Sequence, residues 1–226
     1  MDTIIKAVKH HARTRPNSLA IRQKRYGIWE PMTWRKFYNN IRAFALGLIE
    51  LGLSPEDKVS IIGDNCIEWV IAELGTIGAK GVCVGIYQDM LNQEVAYMVT
   101  ASDSKFFIAG DQEQVDKFIA VQDRLSGQVK RVIVWDLRGM SDYLDKYPFL
   151  MTFKDVIALG RDAHKREPER FERGFVTPTD PDDTIVMLPT SGTTGLPKMS
   201  QLTHNNFIFV GTSWEQIHKS LSLIHI

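Results

Sequence analysis

Nine consecutive residues, Thr190-Ser191-Gly192-Thr193-Thr194-Gly195-Leu196-Pro197-Lys198, gather four hydroxyl side chains, two glycines and one lysine. That mixture suits a polyphosphate. Glycines let the backbone approach closely and turn its N–H groups toward an anion. Hydroxyls donate to phosphate oxygens, and Lys198 supplies a mobile positive charge. Pro197 stiffens the exit of the loop. The same composition also suits a surface turn rich in small polar residues, and the residues alone leave both readings open. Two better-known phosphate loops are excluded. Counted from Gly192, the second glycine of a G-x-x-x-x-G-K-[ST] motif is replaced by Pro197, and Met199 follows the lysine. No G-x-G-x-x-G follows a strand.

The elements that must position this stretch alternate between strand and helix. Phe37, Ile41, Phe44, Ala45 and Leu48 share one helical face, with Thr33 as N-cap and Gly52 closing the end. Ser54 to Asp57 reads as a turn, and Val59 to Ile62 as a strand. A helix with Trp69, Val70, Glu73 and Leu74 follows, then a buried strand over Gly81 to Tyr87. Asn92 is expected to cap a helix through about Thr100. Lys105 to Ala109 reads as a strand, Asp111 to Leu125 as one helix, and Val132 to Trp135 as another strand. Thr152 with Asp155 predicts a capping box for a helix through about Leu159. The charge run Arg161 to Arg173, broken by Pro168, reads as a solvated helix or loop. Pro178 to Asp183 forms a linker into the strand Thr184 to Leu188. Repeated βαβ units predict the α/β class, with a parallel sheet covered by helices on both faces and right-handed crossovers.

Composition narrows the function. The chain has 226 residues, 27 basic and 27 acidic, so no electrostatic footprint for nucleic acid is present. Cys66 and Cys83 lie in apolar surroundings without CxxC spacing, and read as buried reduced thiols rather than a metal or disulfide framework. Met1 to Arg15 lacks the apolar core of a secretory signal. The most apolar region, Val59 to Tyr87, is interrupted by Asp64, Asn65, Glu68, Glu73 and Lys80, so a membrane span is not expected there. The cytoplasm is the default compartment, with peripheral membrane contact left open. His204 invites an acid–base role, but the expectation is that it caps or packs the following helix.

Thr190 to Lys198 resembles the phosphate-binding signature of the adenylate-forming (AMP-binding) superfamily. The match runs from Met187 through Lys198 and on into Leu202-Thr203-His204. Met32-Thr33-Trp34, Ala45 to Leu48 and Leu51-Gly52 resemble that family's first long helix. Asp57-Lys58-Val59, Asp64-Asn65 and Glu68-Trp69 resemble the strand and helix after it. Val84 to Tyr87 and Asp111 to Lys117 are most similar to bacterial long-chain fatty acyl-CoA synthetases. The resemblance spans about Pro16 to Asn206. Pro189 stands where an aromatic is common and Met199 where glycine is common, so Met199 is expected to stiffen the loop's exit.

The resemblance implies ATP-dependent activation of a fatty acid to an acyl-adenylate, then transfer to CoA, with magnesium accompanying the nucleotide. It assigns the ATP phosphates to Ser191, Thr193, Thr194, Lys198 and the backbone of Gly192 and Gly195, with Thr190 and Pro197 shaping the loop. It also implies that residues 1–220 are the incomplete N-terminal domain of a longer enzyme. Adenine-binding and catalytic residues are expected beyond this chain, and the fragment alone is expected to be inactive. The last six residues, Leu221 to Ile226, match the translation of CTG-TCT-CTT-ATA-CAC-ATC, a transposon-end adapter used in library preparation, and are expected to be non-native. The alternatives are a nucleotide-binding module without turnover and a ligase for another carboxylic acid. A nicotinamide-dependent oxidoreductase shares the alternation but lacks the glycine fingerprint.

Overall fold

The computed structural model describes residues 2–125, 127–190 and 197–220, with side chains through position 214. Helix α1 (Ile4–Thr14) opens on Thr3, whose hydroxyl accepts from the Lys6 N–H at 3.4 Å. An antiparallel hairpin follows, β1 (Leu19–Arg25) and β2 (Ile28–Thr33). Its two-residue turn, Tyr26-Gly27, has φ of 49° and 83°. That left-handed pair matches the twist of the flanking strands.

Helix α2 (Trp34–Glu50) shows how closely local chemistry sets the boundaries. Thr33 Oγ1 accepts from the Lys36 N–H at 3.4 Å. At the other end Gly52 adopts φ +91°. Its N–H then reaches Ile49 O at 3.0 Å, and the Leu53 N–H reaches Leu48 O at 2.9 Å. This is the paired closure that a glycine just past a helix permits.

The remaining elements build the sheet. In chain order they are β3 (Lys58–Ile62), α3 (Ile67–Gly78), β4 (Val82–Ile86), α4 (Asn92–Ser102), β5 (Ser104–Ala109), α5 (Gln112–Ile119) and α6 (Gln122–Leu125). Then come β6 (Arg131–Val134), α7 (Tyr143–Lys146), β7 (Leu150–Thr152), α8 (Phe153–Arg166), a π-turn at Glu172–Val176, β8 (Thr184–Thr190), β9 (Lys198–Thr203) and α9 (His204–Ser220). Seven strands lie in the order β7-β6-β5-β3-β4-β8-β9. All neighbours are parallel except β8 and β9.

Side chains alternate between two cores. Val59, Ile61, Phe106, Ile108 and Ile133 face the layer with α1, α2, α3 and α8. Ile62, Phe107, Ala109, Val132 and Val134 face the layer with α4, α5 and α6. Steps toward β4 and β8 pass through α3 and α8 on the first face. Steps toward β5, β6 and β7 pass through α4 to α7 on the second. Right-handed crossovers require that segregation.

The first layer depends on an unusually close crossing of α2 and α8. A Cβ on Gly160 would sit 1.6 Å from Ala43 O, and one on Gly47 would sit 2.1 Å from Val156 O. Phe44 of α2 stacks on Phe153 of α8 at 4.6 Å.

Several expectations need correction. Asp111 to Leu125 is two helices, α5 and α6, separated at Ala120-Val121. Asn92 is not a cap: it is the first helical residue, and the Glu94 carboxylate reaches back to the Leu91 N–H at 2.7 Å. The Thr152–Asp155 capping box is present, but its helix runs on to Arg166. The charge run beyond Arg161 is not wholly solvated, because Phe171 is fully buried within it. Cys83 is buried, whereas Cys66 is only half-buried. Its Sγ caps α3 by accepting from the Trp69 N–H at 3.4 Å, and burial pushes the thiol up to about 11.

His204 packs as expected. It is 1% exposed at the start of α9. Its Nδ1 accepts from the Ile4 N–H at 3.3 Å, and its own N–H donates to Asp183 O at 3.3 Å. Burial lowers its pKa to about 4.

Two outcomes follow. Gly160→Ala forces a methyl group against the Ala43 carbonyl and costs about 3 kcal/mol in urea unfolding. Gly174→Ala, where an added Cβ meets nothing within 4 Å, leaves the midpoint within about 0.5 kcal/mol. Equal midpoints for the two variants would rule out the tight crossing. For His204, above pH 6.5 both states hold a neutral ring. Below that the unfolded chain takes up a proton that the folded one refuses. Stability therefore falls by about 3 kcal/mol down to about pH 4, then levels. In His204→Gln this slope disappears. Identical pH profiles for the two proteins would show that His204 is not held neutral.

Candidate phosphate-binding site

The candidate loop is hung from the hairpin of β8 and β9. β8 enters the sheet through Ile185 and Val186, both buried. It pairs in parallel with β4 at Cys83↔Val186 and Val84↔Met187. β9 pairs with it from Thr184 on, and beyond Met187 that pairing continues without β4, in the register Leu188↔Ser200, Pro189↔Met199 and Thr190↔Lys198. The hairpin therefore projects past the C-terminal end of the parallel strand β4. Open α/β sheets bind ligands at that edge.

Thr190 and Lys198 stand opposite each other where the strands end. The Thr190 hydroxyl donates to Lys198 O at 3.1 Å. This supports a shaping role for Thr190, since its proton is engaged by the hairpin itself. Lys198 is exposed, as a phosphate-seeking ammonium must be. Ser191, Gly192, Thr193, Thr194 and Gly195 lie outside the described residues. The structure thus brings Thr190 and Lys198 together and describes the two strands that carry the loop.

Tyr97 is a further contributor. Its hydroxyl, from α4, donates to the carbonyl of Pro197 at 3.0 Å. That bond ties the exit of the loop to the second helical layer across 100 positions of sequence. Nothing local in the sequence signals it.

The two departures from the family pattern, Pro189 and Met199, are cross-strand partners. Proline has no N–H to give, so its place on this hairpin limits the ladder there. Met199 packs against the second core. It therefore anchors the start of β9 at the point where the family's glycine would leave only backbone.

The same edge of the sheet is built for close approach between β3 and β5. Gly63 has φ +149°, and a Cβ there would lie 2.7 Å from Trp135 Cζ2 and 2.9 Å from Gly110 Cα. His204 is placed away from this edge. It follows Thr203 at the far end of β9, five strand steps from Lys198, or roughly 17 Å. Among the described residues no group of three or more His, Cys, Asp or Glu side chains could hold a metal ion.

Comparison with known proteins agrees with the family resemblance and with the fold. Residues 8–224 match the family described as AMP-binding enzyme. The long-chain-fatty-acid–CoA ligase ACSBG2 of Xenopus laevis is 30% identical over 195 residues, covering 86% of this chain and 25% of that protein. The chain spans about a quarter of the length of the curated relatives it matches. Among solved structures, the fatty acyl CoA synthetase of Mycobacterium tuberculosis has a TM-score of 0.68 at 20% identity, covering 96% of this chain and 37% of that one. The anthranilate CoA ligase AuaEII, in complex with anthranoyl-AMP, has a TM-score of 0.72 at 20% identity, covering 94% and 36%. These structural likenesses concern the fold. With the family match extending over most of its length, this chain belongs to the AMP-binding enzyme family.

Proposed function

We propose that this chain supplies the ATP phosphate-binding part of an acid–thiol ligase that acts on a long-chain fatty acid. Residues 1–220 are read as part of that enzyme's N-terminal domain, and 221–226 as the non-native tail. The observation that carries the reading is the placement of Thr190 and Lys198, paired at the end of a hairpin that projects from the C-terminal edge of a parallel sheet in an AMP-binding family member. The names of the curated relatives supply the substrate class.

The reaction has two steps. A carboxylate oxygen attacks the α-phosphorus of ATP, and pyrophosphate leaves as the acyl-adenylate forms. The thiol of CoA then attacks the acyl carbon, loses its proton, and displaces AMP to leave the thioester. Magnesium bound to ATP would screen its phosphate charges. The protein's task in the first step is to hold the polyphosphate still and to offset charge as it builds on the leaving group. Lys198 places an ammonium at the mouth of the hairpin. The hydroxyls of Ser191, Thr193 and Thr194 and the N–H groups of Gly192 and Gly195 complete the donor set. Tyr97 holds the exit strand, so Lys198 approaches the phosphates from a fixed base.

No helix among the described residues is long and apolar enough to cross a membrane. A fatty acid is delivered to such an enzyme from water or from a bilayer surface, so peripheral contact is part of this reading.

Lys198→Ala is expected to slow carboxylate-dependent ATP–pyrophosphate exchange about 100-fold in the full-length protein. The fold is spared, because Lys198 is exposed. An unchanged exchange rate would sink its role. Tyr97→Phe removes one hydrogen bond to the loop's exit, worth about 1 kcal/mol. It is expected to raise KM for ATP about fivefold while leaving KM for the fatty acid alone. Equal changes in both constants would mean that Tyr97 supports the fold generally and not the loop.

A further inference from the structure

A second basic feature lies in the first helical layer, away from the β8–β9 hairpin. Between α2 and α8 is an open groove of about 470 Å³ whose lining includes Arg35, Lys36, Arg42, Arg161, His164 and Lys165 and contains no carboxylate. The chain as a whole balances 27 basic against 27 acidic residues, so this is a local segregation of charge. We propose that this groove is a binding site for a phosphate-bearing anion, distinct from the loop and independent of its assignment.

Four observations carry the proposal. First, two guanidinium groups are held in place by neutral partners. Arg42 donates to Asn39 Oδ1 at 3.1 Å, and Arg161 donates to Asn40 Oδ1 at 3.3 Å. An amide oxygen orients a guanidinium without cancelling its charge, which leaves its other N–H groups to form a fork for an oxyanion.

Second, Arg42 is half-buried and burial lowers its pKa, as expected of a cation short of a counter-charge. The carboxylate that bears on it, Glu172, already accepts from Tyr38 and Lys9. Third, the His164 ring lines the same groove, and burial together with the Arg42 charge holds its pKa below the usual imidazole value. A bound anion beside it would offset that charge and move the ring's resonance. Fourth, of the groove's long cations only Lys165 forms an ion pair among the described residues, with Asp162 at 2.8 Å on the exposed rim.

The ligand chemistry is a phosphate group with two negative charges, matched to two anchored guanidinium groups and a mobile lysine. A free phosphate and the headgroup of a phosphomonoester lipid carry the same chemistry. The size of the groove suits a headgroup or a small phosphorylated molecule and not a folded partner.

The test uses the 226-residue chain labelled at histidine. Sodium phosphate is titrated against sodium chloride at matched ionic strength, and the His164 imidazole resonance is followed by NMR. In parallel the chain is sedimented with phosphatidylcholine vesicles, with and without phosphatidic acid. Phosphate-specific movement of the His164 resonance, or pelleting only with phosphatidic acid, supports the site. Which of the two occurs identifies the source of the phosphate.

The variant Lys36→Gln/Arg161→Gln changes only exposed side chains, so it is expected to fold, which circular dichroism checks. It is expected to weaken the response about tenfold. Lys198→Ala is expected to leave it unchanged, so failure of the loop assignment and failure of this one are distinguishable. No response in either arm overturns the proposal. So does a response that the Lys36→Gln/Arg161→Gln variant retains in full, or one that Lys198→Ala abolishes.

Discussion

The backbone-to-backbone crossing of α2 and α8 is the constraint on which the rest of this structure depends. The chain builds the sheet outward to β7 at one edge, then must return to place β8 on the far side of β4. α8 makes that return across the first face, where α2 and α3 already cover the strands. A helix with ordinary side chains at the contact would stand 8–10 Å off. Gly47 and Gly160 remove that spacing, and Phe44 and Phe153 fill the flanking volume. The close seating of α8, and with it the path of the chain back toward β8 and the candidate loop, depends on two missing side chains on a distant pair of helices.

Polar contacts then secure the segments that the crossing brings together. Glu50 at the end of α2 receives Arg166 and Arg170, which fixes the end of α8 and the turn after it. Those pairs are largely exposed, so each contributes little alone. Glu172 is different, since Tyr38 of α2 and Lys9 of α1 both donate to it in a half-buried setting. Burial and that carboxylate together raise the Tyr38 pKa strongly, which keeps its hydroxyl a donor across the physiological range. Further along, Lys6 donates to Thr179 O and Ile4 donates to His204. Helix α1 therefore touches the chain both before β8 and after β9, and brackets the hairpin from behind.

Local signals in the sequence were legible where the physics is local. Thr33, Gly52, Thr152 and Asp155 each act within four positions, and the structure uses all of them as read. The parallel sheet was legible because its strands are apolar on both faces. The hairpin of β1 and β2 was not. Its strands are mostly exposed and carry Arg22, Lys24, Arg25 and Glu30 among Ile21, Ile28 and Trp29, so no clean alternation marks them. Cys66 as a cap was hidden by the expectation that a thiol is simply buried. The break after Ile119 was hidden because Val121 and Leu125 extend the apolar pattern across it. At the candidate site, composition singled out the stretch from Thr190 to Lys198 but left a surface turn equally open, and the roles of its residues came from the family resemblance, whereas nothing singled out Tyr97. Its bond to Pro197 exists only once α4 and β9 have met, and no window of sequence contains both.

The anchoring of the loop is graded in a way that fits its proposed work. At its base, β8 is held on both sides, by β4 at Val186 and Met187 and by β9 along its length. Further out, β4 no longer contributes pairing, and Gly85 brings no side chain against Leu188. The outer rungs rest on β9, on the Thr190 hydroxyl and on Tyr97. A loop that must admit ATP and release pyrophosphate cannot be welded along its whole length, because a site that binds substrate and product too well is slow to turn over. Neither can it be loose, because each uncontrolled ångström costs rate through lost orientation. Two side-chain hydrogen bonds at the mouth, each worth about 1 kcal/mol, lie between those limits. Met199 adds apolar packing at the same point, and so fixes the start of β9 by burial where the family's usual glycine would leave it to the backbone alone.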